Sequence, residues 1–291
     1  MAADAVVAAH ERRGRRFRAA DVGSFVLDEG DGDPVVCMHG VPASSFLYRK
    51  VLRELAARGL RGVAFDLPGL GLAERPEDFD YSWTGLGRWA VAAVDALELE
   101  RFHLVVHDIG GPVGFELGAA LPDRVASLTI LNTMIDVGSF RKPWIMRPFG
   151  VPGLGRAWLE GSRGPAFRGL LRWQGINDQS AVSNDELDAY RLLVRGPDNG
   201  RAFLRIMQSF ETTVEKTRLY TSIVSGLPCP VQVAWGEHDP ALTFDHHGRL
   251  AQQITGVETV HRLPGKHFLQ EDCAPAIADL VTELTGSTDQ R

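Results

Sequence analysis

Three short, unbroken apolar runs set the kind of fold open to this chain. PVVCMHG (34–40), GVAFDLPG (62–69) and FHLVVHDIGG (102–111) are each bounded by Gly, Pro or Asp. Runs that are apolar at successive positions, rather than at alternate ones, suit strands buried on both faces, as in a parallel sheet. The segments between them carry helical spacing instead. FLYRKVLRELAARG (46–59) ends at Gly59, TGLGRWAVAAVDALEL (84–99) has one apolar face, and PVGFELGAALPDR (112–124) starts directly after two glycines. VASLTILNT (125–133) is a further strand. This alternation predicts an α/β fold with a mostly parallel, doubly wound sheet.

The rhythm breaks between 134 and 217, a stretch richer in Arg, Trp, Phe, Gly and Pro, with helical patterns at ELDAYRLLVRG (186–196) and GRAFLRIMQSFETTVEK (200–216). Strand and helix signals return with PVQVAWGEHDP (230–240), HHGRLAQQI (246–254), VETVHRLPGKHF (257–268) and APAIADLVTEL (274–284). The expected organisation is a sheet core over 1–133 and 218–291, interrupted by a helical cap over 134–217. An insertion placed over the carboxyl ends of the strands covers the region where open α/β sheets hold their ligands.

Asp108, Asp239 and His267 follow strand ends in chain order. The pattern G-x-S-x-G occurs nowhere; the strand–turn–helix position reads His107-Asp108-Ile109-Gly110-Gly111. An aspartate there is ionised at neutral pH and needs no base to become a nucleophile, so it can displace a leaving group from a saturated carbon and form an alkyl ester. His267 would activate water against that ester, with Asp239 fixing its tautomer. Asp136, shortly after LTILNT, is a rival for the acid. Backbone N–H groups of Val41 and Ile109 would form the oxyanion hole. His39 and His107 read as scaffold residues, and His246 and His247 as surface.

These motifs together resemble the haloalkane dehalogenase and epoxide hydrolase branch of the α/β hydrolases, which have an aspartate nucleophile. VVCMHGVPASSFLYRK (35–50), FDLPGLGLAERP (65–76), VVHDIGG, AWGEHDP and LPGKHFLQED (263–272) carry the likeness through nearly the whole chain. The resemblance implies an α/β-hydrolase fold with a helical cap, Asp108, Asp239 and His267 as the catalytic set, and no cofactor or metal. It also shows two departures. Dehalogenases hold the departing halide with a Trp after the nucleophile and with an Asn in the first loop or a cap Trp. This chain has Ile109 and Val41 at those positions, and neither side chain donates a hydrogen bond. Trp158 falls where a cap Trp is expected, with Trp144 and Trp173 as weaker candidates. Epoxide hydrolases use two cap tyrosines, for which Tyr190 and Tyr220 are the candidates. The lead expectation is a haloalkane dehalogenase-like hydrolase releasing halide and an alcohol. An epoxide hydrolase forming a diol comes second, and a catalytically silent ligand-binding protein third.

Composition narrows the partners. The net charge is −6 over 291 residues, which gives no general reason to bind nucleic acid. ERRGRRFR (11–18) reads as a solvated entry to the first strand. No apolar stretch reaches the ~18–20 residues of a membrane span, and arginines follow rather than precede the first short apolar run, the reverse of a secretory signal. Three widely spaced cysteines form no disulfide framework or metal pair. The expectation is a cytoplasmic enzyme of unassigned oligomeric state, acting on a small hydrophobic organic substrate and water.

Overall fold

The computed structural model describes residues 2–161 and 164–288. Its strands are β1 (Arg15–Ala19), β2 (Val22–Glu29), β3 (Pro34–Met38), β4 (Arg61–Phe65), β5 (Phe102–Asp108), β6 (Val125–Thr133), β7 (Val231–Gly236) and β8 (His261–Leu263). They form one sheet in the order β1-β2-β4-β3-β5-β6-β7-β8. β1 and β2 pair antiparallel, as do β2 and β4, and all other neighbours run parallel.

The unbroken apolar runs are explained by burial on both faces. Val35 and Cys37 of β3 point into one core with Val105, Leu131 and Ala234, while Val36 and Met38 point into the other with Leu104, Val106 and Ile130. This is the two-residue period of a strand with apolar layers above and below. Helices α2 (Arg49–Ala57) and α12 (Ala274–Thr288) cover the first face through Leu52, Leu55, Ile277 and Val281. Helices α3 (Trp83–Ala96), α4 (Gly110–Ala120), α9 (Val214–Gly226) and α10 (Arg249–Thr255) cover the second. The N-terminal α1 (Ala3–Arg13) leads into β1, whose Arg15, Arg16 and Arg18 pair with Asp28, Glu11 and Glu74 at the solvated edge. The arginine-rich segment is therefore a charged sheet edge, a device that discourages strand addition.

Between β6 and β7 the chain forms α5 (Leu154–Gly161), α6 (Pro165–Gly175), α7 (Asn184–Arg195) and α8 (Arg201–Gln208). The helix expected over 200–216 is in fact two. It stops at Gln208, and Thr213 caps α9 by accepting from the Lys216 N–H. The break lets Phe210 turn inward and Glu211 accept from the N–H and hydroxyl of Thr84. Consequently α9 crosses the boundary expected at 217 and packs on α4. Short α11 (Leu269–Asp272) follows the His267 loop. There Glu271, fully buried, takes Arg49 and Lys50, and Arg49 also reaches Glu186 of α7. Arg75 donates to the Val194 and Leu193 carbonyls and to Asp198. These two arginines tie the inserted helices to the sheet core. Among the described residues, no helix is long and apolar enough to cross a membrane.

Candidate active site

Asp108 is the last residue of β5 and has φ of +53°, left-handed backbone that is uncommon for a residue with a side chain. Holding it there costs of the order of 1–3 kcal/mol, which the surrounding structure must offset. The Thr133 hydroxyl donates to the Asp108 carbonyl at 2.5 Å, fixing the turn from the neighbouring strand. Helix α4 then starts at Gly110. A side chain on Gly111 would lie 1.9 Å from that same hydroxyl oxygen, so the second glycine of HDIGG is a packing requirement. Gly40 answers a similar need in the first loop, because a Cβ there would stand 2.1 Å from Asp108 Oδ1.

The two oxygens of Asp108 have different neighbours. Oδ1 accepts from the Val41 N–H at 2.7 Å, and Oδ2 lies 3.4 Å from His267 Nε2. The other ring nitrogen, Nδ1, is 2.7 Å from Asp239 Oδ2. All three side chains are buried. Asp239 lies in the loop after β7, where the Ala241 and Leu242 N–H groups donate to its Oδ1. Asn132 at the end of β6 donates to Asp239 Oδ2 at 2.7 Å and accepts from the Gly236 N–H. Asp136, the rival acid, is instead held by Ser139 and Thr217.

Burial alone would raise the pKa of Asp108, but hydrogen bonding and attraction to His267, with the Ile109 N–H, outweigh it and hold the carboxyl below its ordinary value. Asp239 is lowered too, because its burial is outweighed by His267, Asn132 and the Leu242 N–H. Burial pulls His267 downward, yet Asp239 and Asp108 on either side raise it to about 10. The resting site is thus an imidazolium between two carboxylates.

The flanking histidines are scaffold. The Leu67 N–H donates to His39 Nε2, leaving Nδ1 to donate to the Gly40 carbonyl, so this ring is neutral and braces the first loop. His107 Nε2 meets the His267 carbonyl at 2.7 Å, and burial pulls its pKa down to about 3. His247 is half-buried rather than on the surface, and burial lowers its pKa to about 4.

Asp108 and His267 open into a cavity walled by Phe140, Met146, Phe149, Phe203, Leu242 and other apolar side chains, many from the inserted helices. The expected leaving-group donors are absent from that wall. Trp158 lies on α5 in a separate groove with Trp144 and Trp173. Tyr190 is buried behind Phe268, where its hydroxyl donates to Glu271, and the Tyr220 hydroxyl donates to Glu116. Each tyrosine is committed to a carboxylate remote from it in sequence, a pairing that local pattern does not reveal. Ile109 is fully buried in the sheet core, leaving only its backbone toward the site.

Sequence reading passed over Gln174. Besides Asp108 and His267, it is the cavity's sole residue with a hydrogen-bonding side chain among the described residues. Its carbonyl is 3.4 Å from the His267 N–H it accepts from, and its amide makes no hydrogen bond among the described residues. No cluster of His, Cys, Asp and Glu among the described residues is arranged to hold a metal ion.

The α/β hydrolase fold family matches residues 33–273. A haloalkane dehalogenase of Psychrobacter cryohalolentis is 41% identical over 273 residues, covering 89% of this chain and 86% of the relative. A cis-3-alkyl-4-alkyloxetan-2-one decarboxylase of Shewanella oneidensis is 31% identical, covering 90% and 85%. The structure of the epoxide hydrolase CorEH superposes with a TM-score of 0.75 at 21% identity, covering 94% of this chain and 98% of that one, a likeness of fold.

Proposed function

This chain belongs to the α/β hydrolase family, in its haloalkane dehalogenase-like branch, and we propose that it hydrolyses hydrophobic organic halides through a covalent ester on Asp108. The observation that carries this reading is the division of labour within one carboxylate, with Oδ1 on the Val41 N–H and Oδ2 toward His267 and the cavity. Asp108 Oδ2 attacks the carbon bearing the halogen, and the carbon–halogen bond breaks with its electron pair leaving on the halide. Ester formation removes the Asp108 charge that holds a proton on His267, and that proton leaves to solvent. The neutral Nε2 then takes a proton from water, whose oxygen attacks the ester carbonyl carbon. Negative charge develops on Oδ1, where the N–H groups of Val41 and Ile109 receive it. Collapse expels the alcohol oxygen, which takes that proton from His267. The carboxylic acid left on Asp108 passes its own proton to His267, restoring the carboxylate beside the imidazolium. Asp239, itself held by Asn132, keeps the imidazole oriented throughout.

The departing halide needs a donor, and the Gln174 amide is the neutral side chain available to supply it. That same wall disfavours epoxide opening, because the hydroxyls of Tyr190 and Tyr220 are spent on Glu271 and Glu116. A silent binding protein would need neither a strained Asp108 nor an ion-paired His267. In this reading the segment expected over 134–217 acts as the cap as far as α8, while α9 stays with the core helix α4 on which it packs. The test is product analysis of the purified protein with a bromoalkane and, separately, with styrene oxide. Stoichiometric bromide and alcohol are expected; diol without halide would move the assignment to an epoxide hydrolase.

A further inference from the structure

We propose that the tryptophan groove on the inserted helices is a subsite for the unreactive tail of the substrate, so that this enzyme acts on elongated alkyl compounds rather than compact ones. The inference rests on the reaction proposed above and specifies its substrate class. Its basis is an exposed apolar surface that adjoins the catalytic cavity. Trp144 is 64% exposed, Trp173 53% and Leu154 52%. Together with Trp158 they line a groove whose described walls carry no charged side chain. Exposed apolar side chains gathered in one groove, rather than scattered singly, suit a binding surface.

Two residues say what it binds. Ile145 and Leu170 line both this groove and the cavity that holds Asp108. The partition between them is therefore made of aliphatic side chains. A carbon chain whose reactive end lies at Asp108 can run between Ile145 and Leu170 and lay its remainder on the indole rings. Beyond Asp108 and His267, walls without a charged side chain among the described residues favour a hydrocarbon tail over an acidic or cationic one.

The test measures chain length in two ways. Straight-chain alcohols from butanol to dodecanol, the product class, are titrated against tryptophan fluorescence. Bromoalkanes of the same lengths are assayed for bromide release. Each methylene that reaches the groove should tighten alcohol binding about fourfold, and kcat/KM should rise in parallel. In the Trp144→Ser/Trp173→Ser double variant, the ratio of dodecyl to butyl values should fall at least about tenfold. A flat profile in the wild type overturns the proposal, as does a double variant that keeps the slope. It is also overturned if the substitutions convert a dimer to a monomer by sedimentation while the slope persists, because a second copy is then the occupant. If alcohols bind with the expected slope but no bromoalkane is turned over, the subsite stands and the assigned reaction falls.

Discussion

Replacing Asp108 by Asn should lower the pKa of His267 without disturbing its contact with Asp239. Asp108 Oδ2 stands 3.4 Å from His267 Nε2. One charge at that separation favours the imidazolium by about 5 kcal/mol at an effective dielectric of about 20. About 1.4 kcal/mol corresponds to one pKa unit, so even half of that energy is about two units. His267, raised to about 10 in the native site, should then titrate near 8 or below. The assay is NMR titration of the His267 ring protons in wild type and Asp108→Asn. An unchanged midpoint would refute the argument that Asp108 helps to hold the proton. The consequence for turnover follows directly. Ester formation removes the same charge, so a proton should leave the site once the ester forms. Ester hydrolysis should then accelerate with pH while ester formation stays nearly flat around neutrality.

Other expectations follow from neighbouring contacts. Asn132→Leu removes a buried hydrogen bond to Asp239 and should slow ester hydrolysis roughly 10–100-fold, seen as accumulated ester in rapid-quench experiments. Gln174→Leu should cut the rate of halide departure by a similar factor through loss of a charge-assisted hydrogen bond, and should weaken inhibition by added halide; unaltered halide inhibition would remove Gln174 from that role. Arg49→Met leaves Glu271 buried with Lys50 as its remaining cation and should destabilise the fold by about 3 kcal/mol, read by urea denaturation. Because the folded-state pKa of His267 is raised, its contribution to stability is complete below its unfolded value of about 6.5. That contribution is lost as pH rises through about 10, so the melting temperature should fall across that window, and less so in Asp108→Asn.

The parts of the site that sequence reveals are those fixed by local geometry. His107-Asp108-Ile109-Gly110-Gly111 announces itself because a sharp strand-to-helix turn needs glycines where Thr133 and Met38 press against the backbone. Asp239 and His267 are legible as polar residues just past strand ends. The leaving-group side was not legible. Tyr190 on α7 and Tyr220 on α9 are aromatics whose hydroxyls are taken by Glu271 and Glu116, partners 81 and 104 positions away. Gln174 is one polar residue on an amphipathic helix, and only the folding of α6 over Asp108 makes it a wall of the cavity. Asn132 lies at the end of a uniformly buried strand, β6, where its bond to Asp239 is a cross-strand event. The double helix over 201–226 escaped notice because Thr213, an N-cap, sits within a continuous polar-apolar pattern.

The central claim is a covalent bond to Asp108, and the direct measurement is intact-protein and peptide mass after exposing His267→Gln to a bromoalkane. Without its base the protein should accumulate an alkyl adduct, one per chain, on the peptide containing Asp108, with an equivalent of bromide released. Bromide release without an adduct, or an adduct that persists in the His267→Gln/Asp108→Asn double variant, would contradict the account.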